Sequence, residues 1–261
     1  MPDSGKISLG IIDFSHSDPL SLLLSGNFNI VRRSPAELLE MVLSGKLDFA
    51  MVSLVSYLEN REKLELVKGP TIHSVSSTMS TLLVSSGKAI EGQMDIAVTG
   101  HTRTTEFYMG KVLEGLGISY RAVRRPETAG IELLRSSDYA LVIGDEALEA
   151  YVDGSTVLLD IGREFSSMFM LPPVYAVTVT TGKEDTVPGL DMGRLQESAA
   201  KHSGMAAKEA SARLSLPEKL FENYYSRIGY SWDSSVMGTI EFVSDELDRP
   251  CDPNDAWRRP A

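Results

Sequence analysis

Short apolar runs alternate along the first part of this chain with stretches whose apolar positions recur at helical spacing. Residues 6–13 (KISLGIID), 28–33 (FNIVRR) and 47–52 (LDFAMV) read as strands, the last of them fully buried. Between them, 34–46 (SPAELLEMVLSGK) predicts a helix. Ser34 caps it, Pro35 takes the first position, Glu37 completes a capping box and Gly45 ends it. A short helix is predicted from Pro19 through LSLLL, and another over 53–60 (SLVSYLEN). Strand–helix alternation of this kind predicts a mainly parallel sheet with helices on its faces.

After a long strand at 79–86 (MSTLLVSS), Gly87 and Gly92 mark a boundary and a second series begins. Its strands are expected at 94–100, 119–125, 139–144 and 156–160, with helices near 103–115, 127–136 and 145–152. A second long strand, 174–182 (VYAVTVTTG), closes the series. The chain beyond about 185 reads as helical, including 216–232 with its proline start and 3.6-residue period. Two long strands bracketing a compact middle unit predict two α/β lobes joined by paired crossover strands. The first lobe takes 1–86 and 183–261, with the C-terminal helices packed back on it, and the second takes 87–182. Domain interfaces favour small-molecule sites, so a cleft between lobes is the expected place for function.

Composition narrows the partners. The 261 residues are 43% hydrophobic, enough for a substantial core, and carry a formal net charge of −11. A basic footprint for nucleic acid is missing and an anionic membrane surface would repel the protein. A small anionic ligand stays admissible, because a cleft sets its own potential. Cys251 is the only cysteine, which excludes an intrachain disulfide. No apolar run reaches 18 residues, and the N-terminal stretch has no long apolar core, so a cytoplasmic protein is expected.

Four segments carry candidate chemistry. In IIDFSHSDPL (11–20) a strand gives way to Ser15, His16, Ser17 and Asp18 just before Pro19. His16 there serves either proton transfer or hydrogen bonding, or is a plain loop histidine. In VTGHTRTTEF (98–107) the hydroxyls of Thr102, Thr104 and Thr105 gather with Arg103 where a helix begins. That pattern fits an ordinary N-cap, or a carboxylate- or phosphate-binding turn. On the first crossover strand, alternation puts Thr78, Ser80, Leu82 and Val84 on one face, so Ser80 either points into the cleft or lies in a solvated strand end. Ser53 is a hydroxyl donor for a ligand or a helix cap, and Asp145 in LVIGDEAL is expected to cap the helix it precedes. His73 and His101 flank other loops and His202 lies in the helical tail. No spacing among them suits a metal, and no P-loop or dinucleotide fingerprint is present.

Taken together, SHSDPL, LSGKLDFAMVSLVSYL, MSTLLVSS, AVTGHTRTT, YALVIGDEAL and LDIGREFSSMFMLPPVYAVTV resemble the chorismate dehydratase family of the futalosine route to menaquinone. The likeness runs from about residue 6 to 182. It implies a fold similar to the type II periplasmic solute-binding proteins, and loss of water from chorismate to give 3-[(1-carboxyvinyl)oxy]benzoate. It also implies that no metal or organic cofactor takes part, and that a substrate carboxylate itself takes the proton. Ser80 matches the family's hydroxyl on the first crossover strand, and Thr102, Thr104 and Thr105 its anion-binding turn. His16 stands where the family has asparagine. Phe165, Phe169 and Met170 replace its Trp and Thr-Gly, which predicts a greasier pocket wall. Other readings of the same architecture are a cytoplasmic protein that binds a small carboxylate without catalysis, and the sister 1,4-dihydroxy-6-naphthoate synthase activity.

Overall fold

A computed structural model describes residues 6–74, 77–100, 102–127 and 130–248; Cys251 and His101 lie outside them. The chain divides into two compact units, 1–75 with 174–237 and 76–173 with 238–261. The expected boundaries were 1–86, 87–182 and 183–261. Two strand pairings move them, because each long strand belongs to the sheet it enters, not to the one it leaves.

The first unit holds a sheet of strands β1 (Ser8–Ile12), β2 (Asn29–Arg33), β3 (Phe49–Ser53), β4 (Glu65–Leu66) and β5 (Ile72–Ser74). The second unit follows with β6 (Thr81–Ser85), β7 (Gln93–Val98), β8 (Ser119–Arg124), β9 (Tyr139–Ile143) and β10 (Thr156–Asp160). Strands β11 (Val174–Thr180) and β12 (Ile228–Gly229) return to the first sheet. Its order is β12-β5-β11-β3-β1-β2, with β4 also on β11. Only β1 with β2 and β1 with β3 pair in parallel. β11 runs antiparallel to β3, β4 and β5, and β12 antiparallel to β5. The sheet is therefore mixed where a mainly parallel one was expected. The returning strand lies between two strands that both run the other way.

Helices α1 (Asp18–Leu24), α2 (Pro35–Leu43) and α3 (Leu54–Glu59) follow the first three strands. The capping box of α2 forms as read: Ser34 Oγ accepts from Glu37 N–H, and the Glu37 carboxylate accepts from Ser34 N–H. At its other end Gly45 takes φ +69, Lys46 N–H reaches Met41 O and Gly45 N–H reaches Val42 O, which closes a Schellman motif. α2 packs tightly on the sheet at Gly10, where a Cβ would stand 2.7 Å from Leu38 Cδ2.

In the second unit the order is β10-β6-β9-β7-β8, with β6 antiparallel to both neighbours and β7, β8 and β9 parallel. Its helices are α4 (Arg103–Gly115), α5 (Gly130–Ser136), α6 (Gly144–Ala150) and α7 (Ile161–Phe169). Leu82 and Val84 of β6 enter a buried cluster with Ala97, Leu133, Ala140, Val142 and Ala147. The tail forms α8 (Leu195–Leu214), α9 (Glu218–Tyr225) and α10 (Ser234–Asp248). α8 packs on α1 and α9 in the first unit. From Gly238 onward α10 belongs to the second unit, where Phe242 stacks on Phe165 and Phe169, so the tail does not pack on the first lobe throughout. Phe165 is fully buried among Tyr108, Phe169 and Phe242, a core role and not a ligand wall, while Met170 is exposed at the left-handed end of α7. No helix among the described residues is long and apolar enough to cross a membrane.

Candidate functional site

Strand direction gathers the candidate residues within each unit. In the first, β3 and β5 both run antiparallel to β11, and β1 runs parallel to β3, so the carboxyl ends of β1, β3 and β5 share one edge. The 13–18 turn, Ser53 and His73 all lie at that edge, the place where open α/β sheets take ligands. In the second, β7, β9 and β10 end at the same edge at which β6 begins. Ser80 precedes β6, and Thr102 to Thr105 follow β7, two strand positions or about 10 Å along.

In the first unit, residues 15–17 form a single 3-10 turn that runs into α1, with Pro19 in its first turn. Ser15, His16, Ser17 and Asp18 are all buried. The Asp18 carboxylate is the hub. Arg32 Nη1 donates to Oδ1 at 2.5 Å, while Arg213 Nη2 at 2.9 Å and the Tyr225 hydroxyl at 3.2 Å donate to Oδ2. Arg32 also donates through Nε to Asp13 and through Nη2 to Phe14 O. Arg213 Nη2 reaches Ser15 Oγ at 2.9 Å, and the Tyr230 hydroxyl donates to His16 O at 2.8 Å. Two arginines thus face two carboxylates, and the turn is held from α8, α9 and the segment after β12. Burial, with Asp18 adding to it, pushes the Tyr225 and Tyr230 hydroxyls well above their usual range, so both act as hydrogen-bond donors.

His16 Nε2 and Ser17 Oγ are buried and have no hydrogen-bonding partner among the described residues. An orphaned buried polar atom costs about 1–3 kcal/mol, so these two, on successive residues of one turn, mark a place for a polar group that is not part of the chain. Burial first, and the Arg32 guanidinium second, hold the His16 imidazole down to about 3. The ring is neutral at neutral pH, able to give or accept a hydrogen bond but carrying no acidic proton to hand over. Its other contact is the tilted Phe14 ring at 5.7 Å.

His73 is a second neutral imidazole at this edge, lowered to about 4 by burial, with Asp233 opposing. The Thr71 hydroxyl donates to Ser231 O at 3.1 Å, and its oxygen lies 3.0 Å from His73 Nδ1. One hydroxyl has one proton, so Nδ1–H must donate to Thr71, which fixes the tautomer and leaves the lone pair on Nε2. The ring lies over Gly229, its register partner, where a Cβ would come within 2.0 Å of Nε2. Ser53 is a helix cap: its Oγ accepts from Ser56 N–H and donates to Ser56 Oγ at 2.7 Å.

In the second unit, Thr102 precedes α4 but does not cap it with its side chain. Its hydroxyl donates instead to Thr99 O at 2.8 Å. Thr104 and Thr105 are buried in the first turn, and Arg103 is half-buried. Glu106, one turn in, pairs with Arg124 at 2.7 Å, and burial raises its carboxyl above the usual range against the pull of that arginine. Ser80 is buried, and its carbonyl accepts from Gly144 N–H at 2.9 Å. Asp145 does not cap α6. The helix begins one residue earlier, at Gly144 with φ +64, and the cap position falls on Ile143, leaving Asp145 in the first turn. Arg32, Arg213, Tyr225, Tyr230 and Thr71 were not singled out from the sequence and no local signal marks them, while Asp18 was noted only as one of four polar residues before Pro19. Among the described residues no group of three His, Cys, Asp or Glu side chains is arranged to hold a metal ion.

The profile of a family described as menaquinone biosynthesis matches residues 7–244. A chorismate dehydratase from Thermus thermophilus is 25% identical over 266 aligned positions, covering 94% of this chain and 96% of its own. A crystal structure of a protein from Archaeoglobus fulgidus superposes with a TM-score of 0.69 at 16% identity, covering 94% of this chain and 98% of its own. The periplasmic aliphatic sulphonate binding protein of Escherichia coli gives 0.66 at 12% identity, covering 92% and 86%. The last two show the fold, that of the periplasmic binding proteins. Matched across nearly its whole described length, the chain belongs to the menaquinone biosynthesis family.

Proposed function

We propose that this chain is a chorismate dehydratase of the futalosine route, a carbon–oxygen lyase working in the cytoplasm. The observation that carries the reading is the pair of buried atoms His16 Nε2 and Ser17 Oγ, unpartnered among the described residues at a sheet's carboxyl edge, in a chain matched over 94% of its length by a chorismate dehydratase. In the reaction one ring C–H bond and the neighbouring C–OH bond break, a ring double bond forms, and water leaves; the product is 3-[(1-carboxyvinyl)oxy]benzoate. Aromatisation supplies much of the drive, so the protein's task is to bind and orient.

His16 and Ser17 hold the departing hydroxyl. Among the described residues the ion pairs of this turn set two guanidinium groups against two carboxylates, which suits an uncharged group better than a carboxylate. The neutral imidazole hydrogen-bonds to the hydroxyl and is not its acid; a carboxylate of the substrate takes the ring proton, the C–H electron pair forms the ring double bond, and the proton passes from that carboxylate to the departing hydroxide, which leaves as water. Ser15 and Ser53 are support in this reading, Ser15 through Arg213 and Ser53 as a cap. Within the second unit, Ser80, Arg103, Thr104 and Thr105 are the groups suited to a carboxylate, with Thr102 shaping their turn through Thr99. No step calls for a metal or an organic cofactor.

The test is incubation of the purified protein with chorismate, following loss of the diene absorbance and appearance of the aromatic ether by chromatography. Unchanged chorismate refutes the proposal. Binding measured by calorimetry without turnover would mean a carboxylate-binding protein instead.

A further inference from the structure

The backbone that delivers Ser80 is built on one buried carboxylate. Asp160 ends β10 and caps α7, and it is buried. Each of its oxygens takes two donors. Oδ1 accepts from Arg163 N–H at 3.0 Å and from Thr78 N–H at 3.3 Å. Oδ2 accepts from Met79 N–H at 3.0 Å and from the Ser77 hydroxyl at 2.5 Å. Three of these four bonds go to residues 77–79, so far more of the carboxylate serves this loop than the helix it caps.

Met79, in the middle of that loop, has φ +62, a left-handed conformation that methionine adopts at a cost. It is buried, so it does not take this shape for want of packing. The Met79 N–H bond to Asp160 and the Ser80 carbonyl bond to Gly144 N–H grip the backbone on either side of the distortion. Thr81 faces Ile143 in the β6–β9 ladder, so the Ser80 carbonyl bond to Gly144 N–H carries that ladder one residue further, and the left-handed Met79 lies where the chain enters it. Ser80 is therefore held between the ladder on one side and the Asp160-anchored bend on the other.

We propose that Asp160 is the positioning residue for Ser80, holding the left-handed Met79 so that the Ser80 hydroxyl is presented to substrate; what Ser80 meets rests on the functional reading above. Asp160 touches no substrate itself. Asparagine at this position keeps the shape but turns an NH2 group toward two of the four donors, releasing one side of the loop.

Steady-state kinetics on chorismate in a double-mutant cycle test this. Asp160→Asn and Ser80→Ala are each expected to lower kcat/KM by about tenfold to a hundredfold, the range for loss of one hydrogen bond to a charged group. In the Ser80→Ala background, Asp160→Asn should cost less than about threefold, because the hydroxyl it positions is gone. A merely structural carboxylate would give the same factor in both backgrounds, and that result overturns the proposal. If Asp160→Asn folds poorly, Ser77→Ala, which removes one donor and leaves the cap intact, must show the same dependence on Ser80. The φ of Met79 from backbone chemical shifts is read in parallel without substrate. It should leave the positive region in Asp160→Asn, and its persistence with unmoved Ser80 shifts also overturns the proposal. Chorismate untouched by the wild-type chain refutes the functional reading, and the chemical-shift arm then decides on its own whether Asp160 sets Ser80.

Discussion

Gly229→Ala is expected to damage the first unit through His73. The added methyl would stand 2.0 Å from Nε2, 2.4 Å from Cε1 and 2.6 Å from Cδ2, so it meets the body of the ring and no rotamer change of the alanine avoids it. Moving the ring clear of the methyl is expected to cost the Nδ1–H bond to Thr71. Overpacking a filled interior costs about 1–3 kcal/mol and the lost hydrogen bond about 1 kcal/mol, together roughly 2–4 kcal/mol. For a chain of this size that is about 5–15 °C in the melting temperature. Circular dichroism during thermal and urea unfolding measures it. The decisive comparison is His73→Ala with and without Gly229→Ala: once the ring is gone the methyl has room, and the second substitution should cost under about 0.5 kcal/mol. If Gly229→Ala costs as much without the ring as with it, or nothing in either case, the reasoning is wrong.

Three further outcomes follow from the same unit. Asp18→Asn leaves Arg32 facing one carboxylate fewer in a buried setting; with Arg213 half-exposed and contributing little, a loss of about 2–3 kcal/mol is expected by denaturant unfolding, and a midpoint unchanged from wild type would contradict the hub. His16→Ala should lower kcat/KM for chorismate about tenfold to a hundredfold, while His16→Asn, which still gives and accepts a neutral hydrogen bond, should stay within about fivefold; equal loss in both would restore a proton-carrying role. Both imidazoles have folded values below their ordinary 6.5, about 3 for His16 and about 4 for His73, so the unfolded chain binds protons that the folded chain refuses. Stability should therefore be complete above pH 6.5 and fall as pH drops toward 4, with the two groups giving a slope of up to roughly 2.7 kcal/mol per pH unit; His73→Gln should remove about half of it, and a slope unaltered in that variant would sink the assignment.

Local signals made much of the fold legible. Ser34, Pro35, Glu37 and Gly45 sit at fixed short spacings and announced α2 with both its ends, and the limits of α4 and β10 were read to the residue. What escaped depends on distant partners. β5 and β12 are three and two residues long, and nothing in IHS or IG shows that they pair with each other across 150 residues and more. The antiparallel return of β11 is likewise a matter of topology, so a parallel sheet was the natural reading of the local pattern. The site divides in the same way. His16 and Ser17 stood out because polar residues interrupt an apolar run before a proline. Asp18 was one polar residue of that stretch and not a hub, since its partners Arg213 and Tyr225 lie 195 and 207 positions away. Thr102 and Asp145 failed as caps because Thr99 O and Gly144 offered better local solutions.

The grip on the 15–18 turn has a consequence for how the protein is made. Ser15 waits for an arginine 198 residues downstream, and His16 for a tyrosine 214 downstream. At typical synthesis rates of about 5–20 residues per second, the ribosome has been past the turn for roughly 10–40 seconds before its anchors emerge. A nascent chain thus has Arg32 to begin holding the turn but lacks the Arg213, Tyr225 and Tyr230 contacts that complete the grip, and ligand recognition is deferred until translation is nearly done.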